Sequence, residues 1–206
     1  MDFYAYNSVA VLAFPPDAGY PRLTLAVLAE LGELLNEVRL SGLFRGVVIA
    51  SNSRSFATGA LIEEVASVEG VGARVFAQKG QLIFNQIATF PLAVVAAIRG
   101  YCLGGGLRLA LACHARVATY DASFGHPGAS LALITGWGGT QRLTRLIGRT
   151  AATQLLLTAE RVPATQALTL GLVDELVSSQ DLVEGAARRA CSGKTEIRTS
   201  KFENRD

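Results

Sequence analysis

The stretch "GYCLGGGLRLALAC" (residues 100–113) places three consecutive glycines before an apolar run that holds one arginine, Arg108. Glycine weakens regular elements through its conformational freedom, so three together need a reason other than stability. One reason is a phosphate held at a helix N-terminus. Neither this stretch nor "GWGGTQRL" spells G-x-G-x-x-G, and the "GKT" at 193–195 has Arg188 where a P-loop needs its first glycine. A second reason is an oxyanion site. The first N–H groups of a helix lack intrahelical partners and lie in an electropositive field. Glycine lets a carbonyl oxygen approach them, and two converging donors are needed for useful stabilisation. The loop "SFATGA" (55–60), after the preceding strand, is the expected second supplier, with Gly59 again allowing close approach. Tight helix–sheet packing is the alternative, and it suits one glycine better than three.

Those residues need a scaffold, and the chain can build one. At 206 residues and 50% apolar with 17% charged, it fits one core-bearing domain and not a disordered polymer. A net charge of +2 gives no global field for nucleic acid. Arg188, Arg189, Lys194, Arg198, Lys201 and Arg205 are interleaved with acids and read as a solvated, frayed segment. Cys102, Cys113 and Cys191 follow no metal spacing; the first two read as small buried side chains, which implies a reduced, cytoplasmic setting. The N-terminus has no basic n-region of a signal peptide. The uncharged run 122–141 is long enough to cross a bilayer, but its glycines, Pro127 and His126 argue against a span.

Apolar runs at 9–14, 46–51 and 92–98 read as buried strands, and 115–119 as a fourth. Leu25, Leu28, Leu31, Leu35 and Val38 recur at helical spacing within a helix expected over 22–38. A second helix is expected over about 73–88, a buried one in "LRLALAC", and three more from Gly138 onward, each bounded by Gly or Pro. A short strand over 172–177 and a helix over 181–191 complete the pattern. Continuous apolar strands alternating with helices predict a parallel sheet covered on both faces.

Four segments, "SFATGA", "FPLAVVAAIRGYCLGGGLRLALAC", "ASFGHPGASLALITGWGGTQRLTRLIG" and "LLLTAERVPATQALTLGLVDELV", together resemble the crotonase (enoyl-CoA hydratase/isomerase) superfamily. The resemblance implies an α/β fold, a spiral of ββα units, with residues 1–180 as a crotonase-like core and 181–206 as a C-terminal helix and polar tail. Against that family the C-terminal helical region is expected to be truncated. It also implies binding of acyl-CoA thioesters in acyl-CoA and fatty-acid metabolism, with no permanently bound cofactor or metal. A homo-oligomer (trimer or hexamer) is implied as well. The oxyanion donors it implies are the N–H groups of Ala60 and Gly105, with Thr58, Gly59 and Gly104 around them and Ser130, Thr135 and Trp137 lining the acyl pocket.

The family's two glutamates fall on Arg108 and Gly128, and its usual acid in "AGxD" falls on Leu61. A permanently protonated guanidinium cannot serve as the base that hydration needs, so these substitutions argue against ordinary hydration. Arg108 is expected either to bind a carboxylate on the acyl group, as in a malonyl- or glutaryl-type thioester, or to pair with an acid such as Asp121 or a subunit contact. His126 is the nearby imidazole, catalytic or structural; His114 reads as structural. Trp137 narrows the acyl pocket or is a core or interface aromatic. Two functions stand side by side: an enzyme with altered acid–base chemistry, and a catalytically inactive acyl-CoA-binding or assembly protein of the same fold.

Overall fold

The computed structural model of the chain describes residues 1–15, 20–60, 66, 69–131, 133 and 136–193. The four apolar runs form strands β2 (Val9–Phe14), β3 (Gly46–Ser51), β4 (Ala93–Ile98) and β6 (Ala115–Thr119), each buried at every residue. They pair in parallel, and β9 (Glu175–Val177) joins beside β6. An antiparallel edge strand that the sequence pattern did not announce, β1 (Asp2–Tyr6), completes a six-stranded sheet of order β1-β2-β3-β4-β6-β9.

Both faces are covered, which is why the strands are apolar without alternation. On one face Leu12, Ile49, Val94 and Ala96 meet Leu28, Leu31 and Leu35 of helix α1 (Leu25–Ser41) and Phe84 and Ile87 of α2 (Gly70–Ala88). Helix α1 starts at a Thr24 cap whose side chain accepts from the Val27 N–H, and ends at Gly42 with φ 63°. On the other face Val48, Val95 and Val117 meet Leu182, Ala186 and Ala190 of α7 (Leu182–Cys191). Small residues set that approach: a Cβ on Gly46 would lie 2.7 Å from the Ala190 Cβ. Each fully buried leucine in these layers contributes about 2 kcal/mol of transfer free energy.

A second sheet was not foreseen, because its strands are two or three residues long. Strands β5 (Tyr101–Leu103), β7 (Ser123–Gly125) and β8 (Val162–Pro163) form it. Ala57 pairs with Cys102 as an isolated bridge on the far side of β5. The chain thus turns through three like units. Each runs from a main-sheet strand to a short segment of the second sheet and then to a helix: α2, α3 (Gly105–Ala112) and α4 (Gly139–Ile147). Gly100 makes one of the turns, at φ 52°, where a Cβ would lie 2.3 Å from the Arg54 carbonyl oxygen. The repeat is one of backbone geometry, and no sequence repeat accompanies it. Helices α5 (Arg149–Thr158) and α6 (Ala164–Thr169) follow.

Helix α3 begins inside the glycine run, two residues before the expected "LRLALAC". Only 175–177 of the expected 172–177 strand pairs, since the Leu172 and Val173 N–H groups turn back to the Ala167 carbonyl. Arg116 fastens β6 to this end of the chain. It donates from Nη2 to Asp174 at 2.8 Å and from Nε to the Leu172 carbonyl at 2.8 Å. Among the described residues no helix is long and apolar enough to cross a membrane.

Candidate active site

Three strand-to-helix crossings leave their loops at the same edge, and two of these loops abut. Leu103 N–H donates to the Ala57 carbonyl at 3.0 Å, Ala57 N–H to the Tyr101 carbonyl at 3.2 Å, and Gly104 N–H to the Gly125 carbonyl at 2.9 Å. Residues 57–60 are thereby pressed against the start of α3. On their other side, Leu23 N–H donates to the Gly59 carbonyl at 2.9 Å and Thr58 N–H to that of Pro21 at 3.1 Å.

Each of the three glycines has its own reason. Gly104 sits at φ 51°, in the region that disfavours a side chain. Gly106 is a packing glycine: a Cβ there would lie 2.2 Å from the Ala57 carbonyl oxygen. Gly105 faces the loop, and its Cβ would lie 3.0 Å from Gly59 Cα and 3.2 Å from Ala60 N. Reciprocally, a Cβ on Gly59 (φ 108°) would lie 2.9 Å from Gly105 N. The amides of Ala60 and Gly105 therefore lie side by side on abutting backbones. Gly105 is the first residue of α3, so its N–H has no intrahelical acceptor. Neither N–H donates to any described residue. Packing thus accounts for Gly106, while Gly105 lies where the backbone of the 57–60 loop comes near.

One helical turn on, Arg108 lays its guanidinium carbon 4.8 Å from the centre of the Trp137 ring. Trp137 is 4% exposed and held in place on every side. Phe76 and Phe84 pack on it with ring centres 5.3 and 5.4 Å away. Gly80 of α2 makes room for its indole, since a Cβ there would fall 2.4 Å from ring atoms. Its carbonyl accepts from Arg142 Nη1 at 2.8 Å. Trp137 is thus a core aromatic and also the platform under Arg108, a pairing that sequence reasoning missed. The signal available was Gly80, unexplained in an otherwise well-formed helix.

Arg108 Nε is buried without a hydrogen-bond partner among the described residues, and no described carboxylate pairs with the side chain, Asp121 included. Burial lowers its pKa to about 10, so it keeps its charge at neutral pH. His126 follows β7 and is 3% exposed, sharing the inward side with Phe124. Burial first and the Arg108 charge second push its pKa down to about 3, and its Nε2 has no partner among the described residues. Thr58 Oγ1 is also buried without a partner among the described residues. Gly128 opens a 3-10 turn (Pro127–Leu131), where a Cβ would lie 3.1 Å from the Leu133 carbonyl oxygen. Ser130 is exposed and donates to the Pro127 carbonyl at 2.7 Å. Thr135 and Leu61 lie outside the described residues.

His114 accepts from the Val94 N–H at 3.0 Å, a structural bond from the turn between α3 and β6 to β4. Cys102 and Cys113 are buried, and burial pushes the Cys113 thiol up to about 12 and that of Cys102 well above its ordinary value. Neither is a thiolate at neutral pH.

Two sheets turned by successive ββα units, with a glycine-rich crossing between them, define a crotonase fold. A family model for enoyl-CoA hydratase/isomerase matches residues 5–200, and the chain belongs to that family. It is 42% identical over 176 residues to the fatty acid oxidation complex subunit alpha of Shewanella sp. (strain ANA-3), covering 84% of this chain and 24% of that protein. The chain thus spans about a quarter of the length of the curated relatives it matches. An enoyl-CoA hydratase from Bacillus anthracis superposes with a TM-score of 0.85 at 34% identity, covering 92% of this chain and 74% of that one. One from Thermoplasma volcanium GSS1 does so with a TM-score of 0.87 at 28% identity, covering 93% and 77%.

Proposed function

We propose that this chain binds acyl thioesters of coenzyme A, the thioester oxygen accepting hydrogen bonds from the N–H groups of Ala60 and Gly105. The observation that carries this is the 3.2 Å between Ala60 N and the place a Gly105 Cβ would take, with neither donor used by a described residue. Paired donors at a helix start stabilise the charge of a thioester enolate or tetrahedral oxyanion as it develops. Thr58, Gly59 and Gly104 border that oxygen in this proposal, and the acyl group runs toward Arg108, His126 and Trp137, with Gly128 and Ser130 beyond.

Ordinary two-carboxylate hydration is not the reaction in this proposal. Arg108 stands at one glutamate position and Gly128 at the other. Arg108 does not release its proton at neutral pH, and an imidazole with pKa near 3 is too weak a base to take one from water. Chemistry that leans on oxyanion stabilisation, such as thioester hydrolysis, fits better. The same two pKa values support the second reading, an inactive acyl-CoA-binding or assembly protein. Placement in acyl-CoA metabolism, a cytoplasmic setting, a trimer or hexamer, and the division at residue 180 belong to the proposal.

Calorimetric titration with butyryl-CoA, crotonyl-CoA and free CoA tests it. Both thioesters bind more tightly than free CoA if the N–H pair is used, and equal affinities remove the proposal. Turnover of the bound thioesters then separates an enzyme from an inactive binder, and rapid hydration of crotonyl-CoA overturns the argument from Arg108 and Gly128.

A further inference from the structure

We propose that Arg108 makes the site selective for acyl thioesters whose short acyl chain ends in a second carboxylate, of the succinyl or glutaryl type, and holds that carboxylate without removing it. The inference rests on Ala60 and Gly105 being the thioester donors. Arg108 lies three residues after Gly105 and so on the same side of α3, one turn in. An acyl chain leaving the helix start along that side meets the guanidinium.

The guanidinium is built for such a contact. The guanidinium carbon lies over the face of the Trp137 ring, which covers one side of the group and leaves N–H donors for a carboxylate. Trp137 is fixed by Phe76, Phe84 and the Arg142 bond, so the surface under the guanidinium is set before any ligand arrives. The side chain retains partial exposure, which leaves it reachable. Gly136 lies beside Nη1, where a Cβ would make an ordinary contact at 3.8 Å.

The charge also lacks an answer within the described structure. Two other core-packed arginines are matched: Arg116 by Asp174 and two carbonyls, Arg142 by the Trp137 carbonyl and Asn85 Oδ1. Arg108 has a buried, unpartnered Nε and no described carboxylate, and its neighbour His126 adds a second unpartnered buried nitrogen. Withdrawing a cation from water is costly unless an anion meets it. A ligand carboxylate would supply that anion. Because the guanidinium stabilises the ionised carboxylate, it opposes loss of CO2, in which that negative charge must move away into the enolate.

The test is calorimetric titration of the chain with glutaryl-CoA, succinyl-CoA, butyryl-CoA, the methyl ester of glutaryl-CoA, and free CoA. At least one dicarboxylic thioester is expected to bind about tenfold or more tightly than both butyryl-CoA and the ester. Arg108→Ala reduces that ratio to within about twofold, and Arg108→Lys keeps part of it. Equal affinities for glutaryl-CoA, succinyl-CoA and butyryl-CoA in the unaltered chain overturn the proposal without recourse to a variant. If butyryl-CoA still exceeds free CoA in that case, the thioester donors stand and only the selectivity falls. If no thioester exceeds free CoA, both fall. Incubation with malonyl-CoA is expected to release no acetyl-CoA, and rapid release overturns the retention of the carboxylate.

Discussion

Within one turn, helix α3 joins two regions made in different ways. At its start the features are backbone: the amides of Ala60 and Gly105, brought together because Gly59 and Gly106 admit approaches that a Cβ would forbid and Gly104 turns the chain at φ 51°. One turn later the features are side chains: Arg108 on Trp137, with His126 beside them. The backbone region is constrained by sterics on all sides, so a change of residue there disturbs the fold locally. The side-chain region requires only that something fill the space and satisfy the charges. The difference teaches that sterics fix the backbone at the helix start, while packing and charge set the side chains one turn on.

The largest effect should come from the largest buried side chain of the side-chain region. Trp137→Ala removes the ring between Phe76, Phe84 and Arg108 and is expected to cost about 3–5 kcal/mol in urea unfolding. A cost under about 1 kcal/mol would show that the platform is dispensable and would blur the distinction drawn here. Gly106→Ala is expected next, at about 2–3 kcal/mol, because a methyl 2.2 Å from the Ala57 carbonyl oxygen forces backbone movement. An unchanged melting temperature would mean the two loops are not locked together.

A smaller effect concerns His126. Its folded pKa of about 3 lies below the ordinary 6.5, so the unfolded chain takes up a proton that the folded chain refuses. The stability it confers is complete above pH 6.5 and is lost as pH falls toward 3. The expected loss is about 1 kcal/mol per pH unit between about pH 6 and 5. His126→Gln should flatten that slope; a slope equal to the wild type's would place its origin elsewhere.

Gly105→Ala separates the two regions most finely. Alanine suits a helix better than glycine by about 1 kcal/mol, which offsets a methyl 3.0 Å from Gly59 Cα. Stability is therefore expected to change by less than about 1 kcal/mol. The preference for a thioester over free CoA should nevertheless fall about tenfold, since the methyl stands against the Ala60 N–H. A retained preference would place the thioester oxygen elsewhere.

Much of this was legible in the residues. Buried strands read directly as unbroken apolar runs, since a strand covered on both faces has no polar side to show. Strands β3 and β6 match their expected limits residue for residue. The second sheet was not legible, because two- and three-residue strands carry no period, and β1 was missed because it pairs only at an edge. The glycine run marked where two backbones meet, although not which glycine served which purpose.

The sequence by itself determined the parallel sheet and the family, because these depend on local pattern and residue identity. Only the tertiary structure decided that Gly106 packs while Gly105 faces Ala60, that Trp137 carries Arg108, and that His126 stays neutral. Those facts come from contacts between segments twenty to fifty residues apart, and burial, which sets the energy of a charge, exists only once the segments have closed on one another.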